Sequence, residues 1–244
     1  MKYSNGQDVQ LSDVKGLSSY FRNFNFGTAI VNDKTADLLG IHGVFDPIGK
    51  RVLYTFLGID SATVGYNQFL DSFESFYSYK PGIYCDNDGL IMSVNPSNNT
   101  EVYLHSVGNR GRFYGTYYDS SVTILANQQA EFKKVFTNLE YDSIVYDGVS
   151  IPNGGEELYN DTFDTIRMWN SYQDSGNITL TSPTNIRRRF RTWRYQLPKV
   201  SGNRLLDYHL FIKLSFTNGV GFSGSTSKVL RTSDIIVNHL IPNI

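Results

Sequence analysis

The chain has 244 residues, a net charge of −1, 40% hydrophobic and 18% charged residues. That supplies enough apolar surface for a core in one large or two small domains and excludes a disordered chain. No apolar run approaches the roughly 18 residues of a membrane helix, the opening MKYSNGQDVQ lacks the apolar core of a signal peptide, and the single Cys85 allows no intrachain disulfide.

The 17 Tyr and 16 Phe against 3 Met favour strands, where flat half-buried rings pack on a pleated surface. In chain order, the segment to about residue 25 predicts a short helix capped by Ser12 or Asp13 and running through Leu17, Tyr20 and Phe21. IHGVFDPIGKRVLYTFLG predicts a hairpin, up over residues 42–46, turning at 47–50 and returning over 51–57. In NQFLDSFESFYSYKPG, Phe69, Phe73 and Phe76, and Leu70, Phe73 and Tyr77, keep helical spacing, which predicts a short amphipathic helix ending before Pro81. GIYCDNDGLIMSV predicts a hairpin turning at Asp88-Gly89. Strands follow in TEVYLHSV and GRFYGTYYDSSVTILAN.

Beyond residue 127 the strands lengthen. Residues 135–146 read as extended, and DTIRMWNSYQDSGNITLT as a hairpin turning at 174–177. DYHLFIKLSF places Tyr208, Leu210, Ile212, Leu214 and Phe216 on one strand face. SKVLRTSDIIVNHLI closes the chain as a further strand. The expected fold is all-β: a hairpin or propeller-like N-terminal part with one or two short helices (1–127), then a β-sandwich-like C-terminal part (128–244).

The chemistry-bearing motifs lack their contexts. GVGFSG matches GxGxxG, but a strand pattern rather than a helix follows it, so it reads as a glycine turn. The four histidines, His42, His105, His209 and His239, show no metal-ligand spacing, and DNDG lacks the spacing of a calcium loop. No GxSxG elbow accompanies the serines, and Cys85 has no adjacent partner. Glu156, Glu157, Asp161 and Asp164 sit in Gly/Asn-rich text that reads as a solvated loop rather than a glycosidase pair. No catalytic residue, cofactor or metal is expected.

The charge is unevenly spread. NIRRRFRTWRYQLPK puts five arginines into eight residues, and from Asn185 onward ten basic residues face two acidic ones. Just upstream, residues 140–174 hold eight carboxylates against Arg167 alone. Read as a single strand, the arginine stretch places Arg187, Arg189 and Arg191 on the same face as Trp193, Tyr195 and Leu197. The apolar end is then expected over the core, with the arginines projecting towards carboxylates such as Glu156, Glu157, Asp161 and Asp164. Arginine's planar fork takes such groups bidentately. A chain of net charge −1 is a poor polyanion binder, so no specific nucleic-acid binding is expected.

Five segments occur in a telling order: GVFDPIGKRVLYTFLG, FLDSFESFYSYKPGIY, LANQQAEFKKVFTNLEYDS, DTFDTIRMWNSYQDSG and NIRRRFRTWRYQLPK…NRLLDYHLFIKLSF. From about Ile41 to about Phe216 the chain resembles the C-terminal part of the tail muzzle (tail stabilisation) proteins of crAss-like bacteriophages. The resemblance implies a non-enzymatic virion protein at the distal end of a short tail, made in the bacterial host cytoplasm. It also implies assembly with itself, as a ring-like homo-oligomer, and with other tail proteins. Those relatives are generally much longer, which leaves a matured fragment, a split gene product and a short paralogue open. A second function class, a glycan-binding module for receptor recognition, would share the all-β, aromatic-rich composition.

Overall fold

A computed structural model describes residues 2–4, 8–25, 40–108, 111–147, 156–217 and 228–242. The chain divides into two compact units, Met1–Val107 and Gly108–Ile244. The division falls at 107/108 rather than 127/128 because the strand over 120–126 pairs with residues 210–216 and so belongs to the second unit. The GVGFSG turn lies outside the described residues.

The first unit opens with β1 (Lys2–Ser4), β2 (Asp8–Gln10), α1 (Leu11–Val14) and α2 (Ser18–Asn23). The single expected helix is thus two, separated at Gly16, whose φ of +85° no ordinary helix residue adopts. Ser12 lies inside α1 rather than capping it. An antiparallel meander follows: β3 (Gly40–Asp46), β4 (Arg51–Leu57), β5 (Ala62–Asn67) and β6 (Ser72–Tyr77). A three-stranded sheet completes the unit: β7 (Ile83–Asn87), β8 (Leu90–Asn95) and β9 (Asn98–Leu104). The β3–β4 and β7–β8 hairpins form as their turn residues predict, Asp88 and Gly89 both taking positive φ.

The amphipathic helix expected over residues 67–80 is instead β6 and the turn before it. Asn67 Oδ1 accepts the backbone N–H groups of Phe69 and Leu70, and Asp71 takes φ +48°, so the chain reverses there. Phe73 and Phe76 then pack as strand aromatics against Tyr66 and Tyr20, at ring-centroid distances of 5.3 and 5.0 Å. The apparent period of three arose from a turn and a strand read as one element.

Between the two sheets of this unit lies a buried polar layer. Thr55 Oγ1 lies 2.9 Å from Thr63 Oγ1 and 2.8 Å from the Tyr84 hydroxyl. Ser93 Oγ lies 2.6 Å from His105 Nε2, and the imidazole packs edge-on against Tyr79. Burial pushes the His105 pKa below its ordinary value, with Asp46 opposing. The folded state therefore binds a proton less readily than the unfolded chain, whose histidine titrates near ~6.5. Stability conferred by neutral His105 is complete above that value and falls as the pH drops through it. The thermal midpoint of this unit should fall between neutral pH and pH ~5, and His105→Gln should flatten that dependence. A wild-type midpoint indifferent to pH would refute the account.

The second unit contains β10 (Arg112–Phe113), β11 (Thr116–Tyr117), β12 (Ser120–Ala126), β13 (Lys134–Asp147), β14 (Glu156–Glu157), β15 (Thr165–Trp169), β16 (Asp174–Thr179), β17 (Ile186–Arg189), β18 (Thr192–Gln196), β19 (Leu206–Asp207), β20 (Leu210–Phe216) and β21 (Lys228–Leu240). One sheet runs β12-β20-β15-β16. In the other, β21 covers one side of β13 along its length, while β19, β18 and β14 share the opposite side and β17 extends β18. Inward side chains from both sheets form one core: Ile166, Met168, Ile212 and Leu214 from the first meet Leu139, Tyr141, Val145 and Trp193 from the second. Strict alternation along β20, with Leu210, Ile212, Leu214 and Phe216 all buried, matches the period of two in its sequence. The protein is all-β with short helices. The β15–β16 turn falls at residues 170–173, not 174–177, because Asn170 Oδ1 accepts the N–H groups of Tyr172 and Gln173.

Candidate interaction surface

The arginine-rich stretch is a hairpin and not one strand. β17 and β18 pair in the register Ile186↔Tyr195, Arg187↔Arg194, Arg188↔Trp193 and Arg189↔Thr192, leaving Phe190 and Arg191 as a two-residue turn. Phe190 takes φ +59°, at a turn position usually filled by glycine. The reversal overturns the single-face reading. Ile186 and Arg188 share the inward face with Trp193 and Tyr195, whereas Arg187 and Arg189 point the other way and are exposed, as is Arg191 in the turn. Trp193, Tyr195 and Leu197 are buried over the core, as expected.

The inward-facing arginine is Arg188, which the single-strand reading passed over. Its side chain is only 4% exposed. Nη2 donates to Glu157 Oε1 at 2.7 Å and Nη1 to the Tyr159 carbonyl at 2.8 Å. The guanidinium also lies 4.3 Å from the Tyr159 ring centroid and 5.7 Å from that of Trp193. β14 brings Glu157 there by pairing with the end of β13, in the register Tyr146↔Glu157. The backbone of Glu156 lies in the same strand.

The other predicted acids are engaged elsewhere. Asp161 pairs with Lys228 at 2.5 Å, and Asp164 Oδ2 accepts the Thr217 N–H at 2.5 Å. Asp174 receives the fork of Arg167 and the Gly176 N–H, which hold its carboxyl down at about 2. Arg194 faces Glu140 across β18–β13 at 3.5 Å. Acidic and basic segments thus meet inside the unit through Arg188–Glu157 and Arg194–Glu140.

What remains is the hairpin tip. Among the described residues, Arg187, Arg189 and Arg191 enter no ion pair. Phe190 is 83% exposed between its arginine neighbours, with the Arg189 guanidinium 6.0 Å from its ring centroid. The tip is thus a large apolar ring held outward at a positive φ, between arginines that enter no ion pair among the described residues. The sequence signal for it was the pair of apolar–polar alternations, IRRR and TWRYQ, offset about Phe190-Arg191.

Comparison with known proteins gives this surface a context. Residues 108–200 match the crassvirus muzzle protein C-terminal domain. The Muzzle protein of Bacteroides phage crAss001 is 26% identical over 86% of this chain. The chain is similar to the crassvirus muzzle proteins. The match begins at the first residue of the second unit and contains the whole arginine hairpin. The chain spans 15% of the length of the crAss001 Muzzle protein. Within the muzzle-like segment, Arg188, Glu157 and Trp193 are structural. The described residues hold no group of three or more His, Cys, Asp or Glu placed for a metal, and no helix long and apolar enough to cross a membrane.

Proposed function

We propose that the chain is a non-enzymatic structural component of a bacteriophage tail that assembles in several copies around the tail axis and helps close or stabilise its distal end. The similarity to muzzle proteins supports a virion component. The exposed Arg189-Phe190-Arg191 tip, on a hairpin anchored by Trp193 and Arg188, carries the docking part of the reading. Aromatic and arginine side chains presented on a rigid hairpin suit an acid-rimmed apolar pocket on a neighbouring subunit or tail protein. A glycan-binding role has less support. The outward Trp169 and Phe211 rings stack on each other at 5.4 Å and 12°, and Arg167 lies against Trp169, so the facing sides of this pair are taken.

Size-exclusion chromatography with light scattering, on the chain mixed with the other tail proteins, tests the reading. Phe190→Ala should weaken the complex about 30-fold or more, the loss of an interface hot spot of at least ~2 kcal/mol. Arg189→Glu with Arg191→Glu should abolish it at physiological salt while leaving the fold intact. A wild type that stays monomeric with every tail partner present, or a complex indifferent to both changes, would overturn the docking role.

A further inference from the structure

In the first unit the β3–β6 meander is covered on both faces. Phe56 packs under α2, its ring 5.1 Å from that of Phe21, and on the other side Val44 and Leu53 meet Ile91 of the β7–β9 sheet. Among the described residues the β7–β9 sheet itself is covered on one face alone. Its register sets Ile83, Val94 and Val102 in one outward row and Cys85, Met92 and Leu104 in the next, with Leu90 at the turn. Val102 is 65% exposed, and Ile83, Leu90 and Leu104 are exposed with it. The solvent face of an antiparallel sheet is ordinarily polar, yet these two rows hold no polar side chain beyond the Cys85 thiol. A contiguous apolar patch of this kind marks a contact surface.

The patch has an acidic frame. Residues 83–104 contain Asp86, Asp88 and Glu101 and no Lys or Arg, and all three carboxylates belong to exposed residues. Asp86 and Asp88 stand at the turn end of the sheet, and Glu101 at the other end, where the β8–β9 register shifts. The β17–β18 tip is the converse: an outward apolar ring, Phe190, among the exposed Arg187, Arg189 and Arg191.

We infer that the tip of one copy of this chain seats on the β7–β9 face of the next, with Phe190 on the apolar rows and the arginines reaching the carboxylates. This rests on the docking tip of the tail reading and names the surface that receives it. The two surfaces differ, so the contact is heterologous. Each copy offers a tip to one neighbour and a face to the other, which is what several copies around one axis require. An aromatic ring in an apolar patch supplies the affinity of such a contact. The opposite charges around it set orientation and speed the encounter.

Light scattering of the full chain alone should give a mass above the monomer that rises with concentration and falls with added salt. Phe190→Ala at the tip and Val102→Lys on the face should each return the monomer, the former by raising the dissociation constant about 30-fold. Both positions are exposed, so circular dichroism and melting should not change. Mixed in equal amounts, the two variants should form a one-to-one dimer and nothing larger, because one intact tip and one intact face remain between them. Cys85, exposed within the face and the only cysteine, gives a second readout. Its alkylation by N-ethylmaleimide should slow as the wild-type concentration rises and should not slow for Phe190→Ala. A wild type monomeric at every concentration, or variants that stay monomeric when mixed, would overturn the contact. If Phe190→Ala then still broke the complex with the other tail proteins, the tail reading would stand without it, and if it broke nothing, both would fall.

Discussion

Arg188→Ala should destabilise the 108–244 unit by about 2–4 kcal/mol, whereas Arg189→Ala, one residue along the same strand, should cost less than about 0.5 kcal/mol. The difference lies in where the two guanidinium groups end. Arg188 is almost wholly buried, with two hydrogen bonds through Nη1 and Nη2 and two aromatic rings against it, while Arg189 is exposed. Truncation loses two bonds to a charged group and leaves the Tyr159 carbonyl without its donor, an effect partly offset because a buried cation no longer has to be desolvated. Among the described residues the Arg188 Nε is buried with no hydrogen-bond partner, so the wild type already bears part of that desolvation cost. Arg188→Lys should fall between, keeping charge but losing the fork that reaches Glu157 and Tyr159 together. The measurement is convenient because both tryptophans, Trp169 and Trp193, lie in this unit, so tryptophan fluorescence during denaturation reports on it alone. Equal losses from the two alanine variants would show that the buried cluster contributes nothing.

Trp193→Ala should be the more damaging change, at about 3–5 kcal/mol. The ring is fully buried, its Nε1 donates to the Ser143 carbonyl at 3.2 Å, and it sits opposite Tyr141 in the β13–β18 ladder. Its removal leaves a cavity between the two sheets and strips Arg188 of one of its aromatic neighbours. Arg188→Ala and Trp193→Ala therefore act on one cluster, and the double variant should lose less than the two single losses combined. Trp169 remains as the reporter. Strict additivity would separate the arginine from the core and weaken the account of why this hairpin is anchored so firmly.

Much of this fold is legible in the text wherever local chemistry and tertiary packing agree. The β7–β8 hairpin is written into Asp88-Gly89, and β20 into the alternation of LFIKLSF. The errors share a physical cause. The hairpin reversing at Phe190-Arg191, the β5–β6 turn at Phe69-Leu70 and the β15–β16 turn after Asn170 contain no glycine or proline at the reversal. Asparagine side chains or imposed positive φ values make those turns instead, and an unmarked turn lets two strands be read as one element or as a helix. The site suffered for the same reason. A stretch of consecutive arginines reads as uniform until the register separates Arg188, buried against Glu157, Tyr159 and Trp193, from Arg187, Arg189 and Arg191, which remain on the surface.

β13 has a further consequence, for how the chain acquires its structure. It runs from Lys134 to Asp147, and one whole side of it is covered by β21, from Val135↔Leu240 to Asp147↔Lys228. These partners are about a hundred residues apart in sequence, so the contacts that close this sheet are among the least local a chain of this size can make. Such topologies fold slowly, because a long loop must be closed before any pairing compensates for its lost entropy. During synthesis β13 emerges long before β21 exists, and for that interval a fourteen-residue strand rich in Val, Ile, Phe and Tyr has one bare side. A ribosome-bound intermediate lacking residues beyond 228 should therefore engage chaperones or aggregate, and the sandwich should become protease-resistant only once β21 has been released to complete it.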